Sequence, residues 1–174
     1  CMNCFKSSNI LSGTCPYCGK NLVNPQVEPF LPQRTLLANR YYIGKAIKMD
    51  GEGLEYAGYD KVENSRVYIR EFFPSRICQR SENFEKILVL PNKSSEFQKL
   101  ITDFLKYFRS IARLRNLSSI AAVYDIFEEN NTAYVIFEWV EGIKLDKYMS
   151  SRSEPLEWHE AQALFMPLLS SLIY

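Results

Sequence analysis

The sequence has almost no net charge, a single histidine and no long apolar run, and each of these features excludes a class of function. With 21 basic and 20 acidic residues the formal charge is +1, so no overall field attracts nucleic acid or an anionic membrane. No apolar run reaches the length of a bilayer, and residues 1–6 lack the regions of a signal peptide. His159 has no second histidine with which to form a catalytic site. We therefore expect a cytoplasmic protein with no membrane segment in this chain.

The composition is nevertheless ample for a packed domain. The 174 residues are 47% hydrophobic and 14% aromatic, which is enough to bury a substantial core. The chain begins at Cys1 and ends at Tyr174 within an apolar helical pattern, so we expect it to be a piece of a longer protein.

Four of the five cysteines form two CxxC pairs, Cys1 with Cys4 and Cys15 with Cys18. Each pair can aim two thiolates at one point, and the two pairs together supply a tetrahedral set of ligands. Fewer than 25 residues cannot bury a core, so metal binding would supply nearly all of the folding energy of this ribbon. We predict a structural zinc site. An iron site of rubredoxin type would use the same ligands, and two disulfides are the alternative in a secreted protein.

The rest of the chain divides by composition and periodicity. We predict a zinc ribbon at 1–24, a proline-rich linker at 25–34, a main lobe at 35–141 and the start of a helical region at 142–174. Strand patterns cover 41–47, 54–60, 67–72, 121–128 and 133–140, with a tight turn at 129–132. Helical patterns cover 95–115, 145–151 and 158–174. Tyr107 is expected on the buried face of the long helix.

These stretches resemble the amino-terminal lobe of bacterial serine/threonine protein kinases of the eukaryotic-like type, over residues 35 to 174. The similarity is carried by six stretches in the family's order, namely 40–44, 56–60, 66–74, 104–114, 123–130 and 133–142. The resemblance implies an α+β fold with a five-stranded antiparallel sheet, one long helix and the start of a helical carboxy-terminal lobe. The family's catalytic loop, metal-binding aspartate and activation segment would then follow Tyr174.

The departures from the family pattern fall on positions that handle the nucleotide. Of the three glycines over the phosphates only Gly53 is kept, because Lys48 and Asp50 occupy the other two positions. Arg70 takes the place of the phosphate-binding lysine, and Tyr107 that of its glutamate partner. A hydrogen bond or cation–π contact between Arg70 and Tyr107 is expected to replace the ion pair. By the resemblance the nucleotide-pocket positions are Lys48, Asp50, Gly53, Arg70, Tyr107, Phe137, Glu138 and Val140.

The sequence thus favours a pseudokinase, a regulatory or binding module with a degenerate phosphate clamp and a protein partner. ATP and magnesium are not expected to bind in the family's usual way, and this chain alone should transfer no phosphate. The alternative is the amino-terminal lobe of an active ATP-dependent kinase. A second alternative makes the ribbon the functional part, binding nucleic acid or protein, but its only cations are Lys6 and Lys20.

Overall fold

A curled antiparallel sheet covered by one long helix forms the body of the molecule. The computed structural model describes residues 1–7, 13–21, 26–83, 86–114 and 116–173. The strands are β1 (Leu36–Leu37), β2 (Tyr41–Met49), β3 (Gly53–Asp60), β4 (Ser65–Phe72), β5 (Cys78–Arg80), β6 (Ile87–Val89), β7 (Val123–Glu129) and β8 (Thr132–Glu138). The helices are α1 (Ser94–Ala112), α2 (Leu145–Ser150) and α3 (Trp158–Ser171). This order confirms the predicted α+β fold class.

The main sheet has the strand order β1-β2-β3-β4-β8-β7, and every neighbouring pair is antiparallel. Its central strands β4 and β8 are rich in β-branched and aromatic residues, which suit a covered sheet. The structure adds the two-residue β1 to the five predicted strands. It also adds a separate two-stranded sheet of β5 and β6, whose first residue is Cys78.

Short turns set the register of the β7–β8 and β3–β4 hairpins. Asn130 and Asn131 both have positive φ, 57° and 58°, and join β7 to β8 in the predicted tight turn. In the other hairpin Asp60 pairs with Ser65, so that each residue of β3 faces a defined residue of β4. The pairing of Glu55 with Arg70 follows from this register.

The long helix α1 packs an aromatic stripe against the sheet. The stripe consists of five buried side chains, the aromatic Phe97, Phe104 and Phe108 and the aliphatic Ile101 and Leu105. Phe72 of β4 lies with its ring centroid 5.4 Å from Phe97 and 5.1 Å from Phe104. The predicted burial of Tyr107 is wrong, because its side chain is 62% exposed. At about 100° per residue, Tyr107 lies roughly a quarter turn from the centre of the stripe.

A fully buried ion pair fastens the small sheet to the main one. Arg80 donates from Nη1 and Nη2 to the two carboxylate oxygens of Glu71, each at 2.7 Å. Tyr56 and Tyr134 donate their hydroxyl groups to the same carboxylate, at 2.7 and 2.9 Å. The Nε of Arg80 donates to the carbonyl of Pro29 at 3.0 Å. The pair therefore joins β3, β4, β5, β8 and the segment before β1, with its polar atoms satisfied.

The ribbon and the segment after it lie against the sheet. Leu31 is fully buried, and its N–H donates to the hydroxyl of Tyr56 at 3.1 Å. The carbonyl of Met2 accepts a hydrogen bond from the N–H of Lys45 in β2, at 2.9 Å. Parts of the predicted ribbon and linker, residues 8–12 and 22–25, lie outside the described residues. Among the helices within the described ranges, none combines the length and the apolarity required to cross a membrane.

Candidate functional site

A cavity of about 1210 Å³ opens between the sheet and α1. Its aromatic wall comes from β4, β8 and α1, and its rim from the β2–β3 loop and from the residues after β8. The lining includes Gly51, Glu52, Glu55, Tyr68, Arg70, Tyr107, Phe137, Glu138 and Val140. The cleft thus contains most of the positions that the sequence predicted for a nucleotide pocket.

Arg70 is held in this cleft by two carboxylates of its own chain. Its Nη1 donates to Glu55 Oε1 at 2.6 Å and to Asp50 Oδ2 at 3.0 Å, while Nη2 donates to Asp50 Oδ1 at 3.1 Å. The side chain of Arg70 is only 16% exposed, which strengthens these charge-assisted bonds. The expected contact with Tyr107 is replaced by these two ion pairs. Tyr107 instead packs edge-on against Phe108, with the ring centroids 5.0 Å apart.

Asp50 also occupies the backbone donors of the β2–β3 loop. Its Oδ1 accepts hydrogen bonds from the N–H of Glu52 at 3.1 Å and of Gly53 at 2.9 Å. Burial raises the pKa of Asp50. The hydrogen bonds from Arg70 and from the loop amides lower it by more, so the net pKa lies below its ordinary value. One carboxylate therefore takes both the guanidinium and the loop amides, which are the kinds of donor that bind a phosphate.

Glu55 bonds two further polar side chains next to Arg70. Its carboxylate accepts a hydrogen bond from the hydroxyl of Tyr68 and forms an ion pair with Lys48 Nζ at 3.2 Å. The side chain of Glu55 is 6% exposed, so its charge is nearly removed from water. Two cations, Lys48 and Arg70, thus face the two anions Asp50 and Glu55, and the charges within the cluster cancel.

Gly53 is required by close packing over Arg70. A Cβ atom at this position would lie 2.8 Å from the carbonyl oxygen of Glu71 and 3.3 Å from Cζ of Arg70. Any larger residue would push β3 away from the arginine. The glycine therefore has a structural function here that does not depend on a ligand.

The end of β8 and the residues that follow it form the far wall of the cleft. Phe137 is half-buried, with its ring centroid 5.5 Å from that of Phe108 and 6.3 Å from that of Tyr68. Glu138 donates its backbone N–H to the carbonyl of Ala122 at 2.8 Å, while its side chain is exposed. Val140 is 65% exposed. This wall is open and largely apolar.

The four cysteines of the ribbon converge as predicted. The sulfur atoms of Cys1 and Cys18 are 3.8 Å apart and those of Cys4 and Cys15 are 3.7 Å apart. All four lie within 4.8 Å of one another. With zinc–sulfur bonds of about 2.3 Å, the edge of a tetrahedron of thiolates is about 3.8 Å, so the arrangement fits such a metal.

The two CxxC turns have the same backbone form. The N–H of Phe5 donates to the carbonyl of Cys1 at 2.8 Å, and that of Gly19 donates to the carbonyl of Cys15 at 2.9 Å. Phe5 and Gly19 both have positive φ, 57° and 67°. Burial raises the pKa of the Cys15 thiol, but N–H groups of the second turn donate to it and the net pKa falls to about 7. These donors favour the thiolate, which is the form that binds metal.

Comparison with known proteins decides the fold. No protein-family model matches the chain. A probable serine/threonine-protein kinase of Clostridium acetobutylicum is 24% identical over 120 residues, which are 69% of this chain and 15% of that protein. The PpkA-294 apo form matches with a TM-score of 0.64 and 24% identity, over 82% of this chain and 50% of that chain. The Mycobacterium tuberculosis PknI kinase domain matches with a TM-score of 0.54 and 17% identity, over 83% and 51%.

The chain has a serine/threonine-kinase-like fold. It spans about half the length of the two solved structures and a smaller share of the Clostridium relative. The matched part of the fold is the amino-terminal lobe, which confirms that part of the sequence resemblance. In this kinase-like lobe, Arg70 lines the cleft from β4, and Asp50 bonds to it from the loop before β3.

Glu55 is the residue of the cleft that the sequence analysis missed. Glu55 lies directly opposite Arg70 in the β3–β4 pair. Opposite charges that face each other across two strands stabilise an antiparallel sheet. The signal was present in the sequence. The turn places Asp60 opposite Ser65. Counting five residues back along β3 and five forward along β4 then pairs Glu55 with Arg70.

Proposed function

We propose that this chain is a kinase-like regulatory or binding module whose phosphate clamp is closed by its own carboxylates, and that it transfers no phosphate by itself. The observation that carries the proposal is the position of Asp50. Its carboxylate bonds Arg70 and two loop amides at once, and so takes the place of an anionic ligand. The bonds of Asp50 and Arg70 then serve to hold the β2–β3 loop against β4.

The charge of the cleft supports this proposal. Beyond the ion cluster, the lining contains the carboxylates of Glu52, Glu96, Asp103 and Glu138, against the single further cation Arg76. A triphosphate would have to displace Asp50 from Arg70 and remain close to Glu55, which lies 2.6 Å from the same guanidinium. Repulsion between like charges at such distances costs several kcal/mol in a half-buried site, at roughly 4 kcal/mol for each pair 4 Å apart.

The proposal is tested by thermal unfolding with and without millimolar Mg–ATP. We expect no shift of Tm in the unmodified chain, because Asp50 and Glu55 occupy Arg70. The variant Asp50→Asn removes one negative charge and frees part of the guanidinium, so it should gain a Tm shift with Mg–ATP. Asp103→Asn is the matched control, since it removes an exposed carboxylate from the same cleft without touching Arg70.

A Tm shift of the unmodified chain that Arg70→Ala abolishes would contradict this proposal. It would instead favour the second candidate, the amino-terminal lobe of an ATP-dependent serine/threonine kinase. One observation speaks for that candidate: the guanidinium of Arg70 still lines the cleft from β4. Chemistry in such enzymes depends on positioning and charge stabilisation, and a guanidinium already bound to two carboxylates provides little of either.

For the ribbon we propose a structural zinc ion held by Cys1, Cys4, Cys15 and Cys18. The sulfur spacing and the N–H donors to Cys15 support this assignment. Four thiolates fill a tetrahedral shell, so they leave no coordination position for a substrate. When bound, the ion would fix the two CxxC turns relative to each other.

A further inference from the structure

We propose that Arg66 is a positioning residue that couples metal loading of the ribbon to the wall of the cleft. Arg66 follows the first residue of β4 and lies between the ribbon and the segment after β8. Its side chain reaches both, through hydrogen bonds to Cys4 and to Glu141. The proposal rests on the metal site proposed above, and it concerns how that site acts on the lobe.

The ribbon side of the connection is the backbone of a metal ligand. The Nη2 of Arg66 donates to the carbonyl oxygen of Cys4 at 3.1 Å. That carbonyl is oriented by the first CxxC turn, in which Phe5 donates its N–H to Cys1. Cys1 and Cys4 stand at the two ends of this turn, so a metal bound to both thiolates would fix its geometry beyond what packing on the sheet provides.

The lobe side of the connection is the cleft wall. The Nη1 of Arg66 forms an ion pair with Glu141 Oε1 at 3.3 Å, and its guanidinium lies 6.0 Å from the ring centroid of Trp139. Trp139 and its neighbour Val140 both line the cavity. One side chain therefore bonds the backbone of a cysteine ligand with one nitrogen and Glu141, which follows the cleft residue Val140, with the other.

The ribbon is seated firmly enough to transmit a change. Phe5 stacks on Tyr59 of β3, with centroids 5.5 Å apart and an angle of 19° between the rings. The ring of Phe5 and the carbonyl of Met2 also pack directly on Gly44. A Cβ atom at Gly44 would lie 2.5 Å from Cζ of Phe5 and 2.6 Å from the carbonyl oxygen of Met2, so a larger residue does not fit there. The first CxxC turn thus fits one place on the sheet.

Loss of the metal would release the first turn, remove the acceptor of Arg66 and leave Trp139 and Glu141 less constrained. Coupling of this kind is reciprocal, so removal of Arg66 must also weaken metal binding. The two directions of the effect can be measured separately, without any catalytic assay.

The experiment uses the Trp158→Phe background, in which Trp139 is the only tryptophan. We expect a chelator to change the emission of Trp139 and to speed hydrogen exchange of residues 136–142 in this protein. In Arg66→Ala the emission should no longer respond to the chelator. Zinc affinity, measured by competition with a zinc-binding dye, should fall about fivefold or more in that variant.

Two further variants keep the result interpretable. Phe5→Ala leaves Arg66 in place but loosens the ribbon, so it should weaken the Trp139 response in part. Arg109→Ala removes an exposed guanidinium of α1 and should behave like the unmodified chain. Far-UV circular dichroism checks that each variant is folded.

Three outcomes are distinct. Metal binding with a Trp139 response that depends on Arg66 supports the coupling. Metal binding with no response, or with an unchanged response in Arg66→Ala, overturns the coupling and leaves the zinc assignment intact. Absence of metal binding overturns both.

Discussion

Arg70 and Arg80 are both held by carboxylates, but their surroundings give them different functions. Arg70 faces the cleft with its side chain 16% exposed, and it shares Asp50 and Glu55 with Lys48 and the loop amides. Arg80 is 1% exposed, and its pair with Glu71 lies inside the core. The first pair can be opened by competition for its charges, whereas the second can be opened only by unfolding its surroundings.

The core pair leads to a prediction of stability. Arg80→Ala should lower the free energy of unfolding by about 3–5 kcal/mol, because Glu71 would remain buried without its partner. Chemical unfolding followed by circular dichroism measures the loss. As a control, Lys93→Ala removes an ion pair with Glu96 whose side chains are 44% and 50% exposed, and it should cost less than about 1 kcal/mol. Equal losses in the two variants would contradict the assignment.

Among the elements, the β3–β4 hairpin has the greatest effect on the site, because its register places Glu55 opposite Arg70. The hairpin turn is held by Asp60, whose Oδ1 accepts hydrogen bonds from the N–H of Val62 at 2.9 Å and of Glu63 at 3.3 Å. Arg40 donates to the same carboxylate through Nε and Nη2. A shift of one residue here would turn Arg70 to the other face of the sheet.

The hairpin should show a pH dependence that can be assigned to Asp60. Burial raises the pKa of Asp60, but hydrogen bonds from Arg40 and the turn amides outweigh it and lower the pKa below the ordinary value of 3.8. The folded state then holds fewer protons than the unfolded state, so the stabilisation is complete at neutral pH and is lost as the pH falls below 3.8.

Asp60→Asn should therefore lower the free energy of unfolding by about 1.5–3 kcal/mol at pH 7, and the difference should shrink as the pH falls towards 3. Urea unfolding across this pH range provides the measurement. Glu63→Gln is the control, because Glu63 lies 3.6 Å from Arg40 and its side chain is 67% exposed. A difference that is independent of pH would argue against an ionic function of Asp60.

At the scale of the whole molecule, the ribbon and the segment after it are parts of one packed unit with the lobe. Leu31 enters the core of the sheet, and Pro29 accepts a hydrogen bond from the buried Arg80. The first CxxC turn rests on β2, β3 and β4 through Lys45, Tyr59 and Arg66. The four-cysteine cluster is therefore attached to the sheet on which the cleft is built.

The metal content of the protein tests this organisation. We expect one zinc ion per chain by elemental analysis, and its loss in Cys15→Ser, since a hydroxyl is a poor replacement for a thiolate ligand. Cys78→Ser is the control and should retain the ion, because Cys78 is buried in β5 and donates to the carbonyl of Pro74. Loss of metal in both variants would show that the effect arises from misfolding.

Part of the site was predictable from local patterns, and part was not. The spacing of the cysteines was sufficient to predict that the four thiols converge, and the strand pattern was sufficient to place Arg70 on a strand. The burial of Tyr107 was predicted wrongly because residues three apart on a helix differ in direction by about 60°. Tyr107 is three residues from Phe104 and therefore lies outside the buried stripe. Glu55 and the buried pair of Glu71 with Arg80 were missed because ion pairs across strands depend on register.

By itself, the sequence determined the five longer strands and the helices of this protein, since periodicity, turn residues and CxxC spacing act within a few residues of the chain; the short strands β1, β5 and β6 were found only in the structure. It also placed Arg70 on a strand and the four ribbon cysteines in two CxxC pairs. Only the tertiary structure decided what surrounds these residues. It placed Asp50, Glu55 and Arg70 within bonding distance and brought Cys4 to Arg66, because contacts between residues far apart in sequence depend on how the strands pair and how the ribbon packs on them.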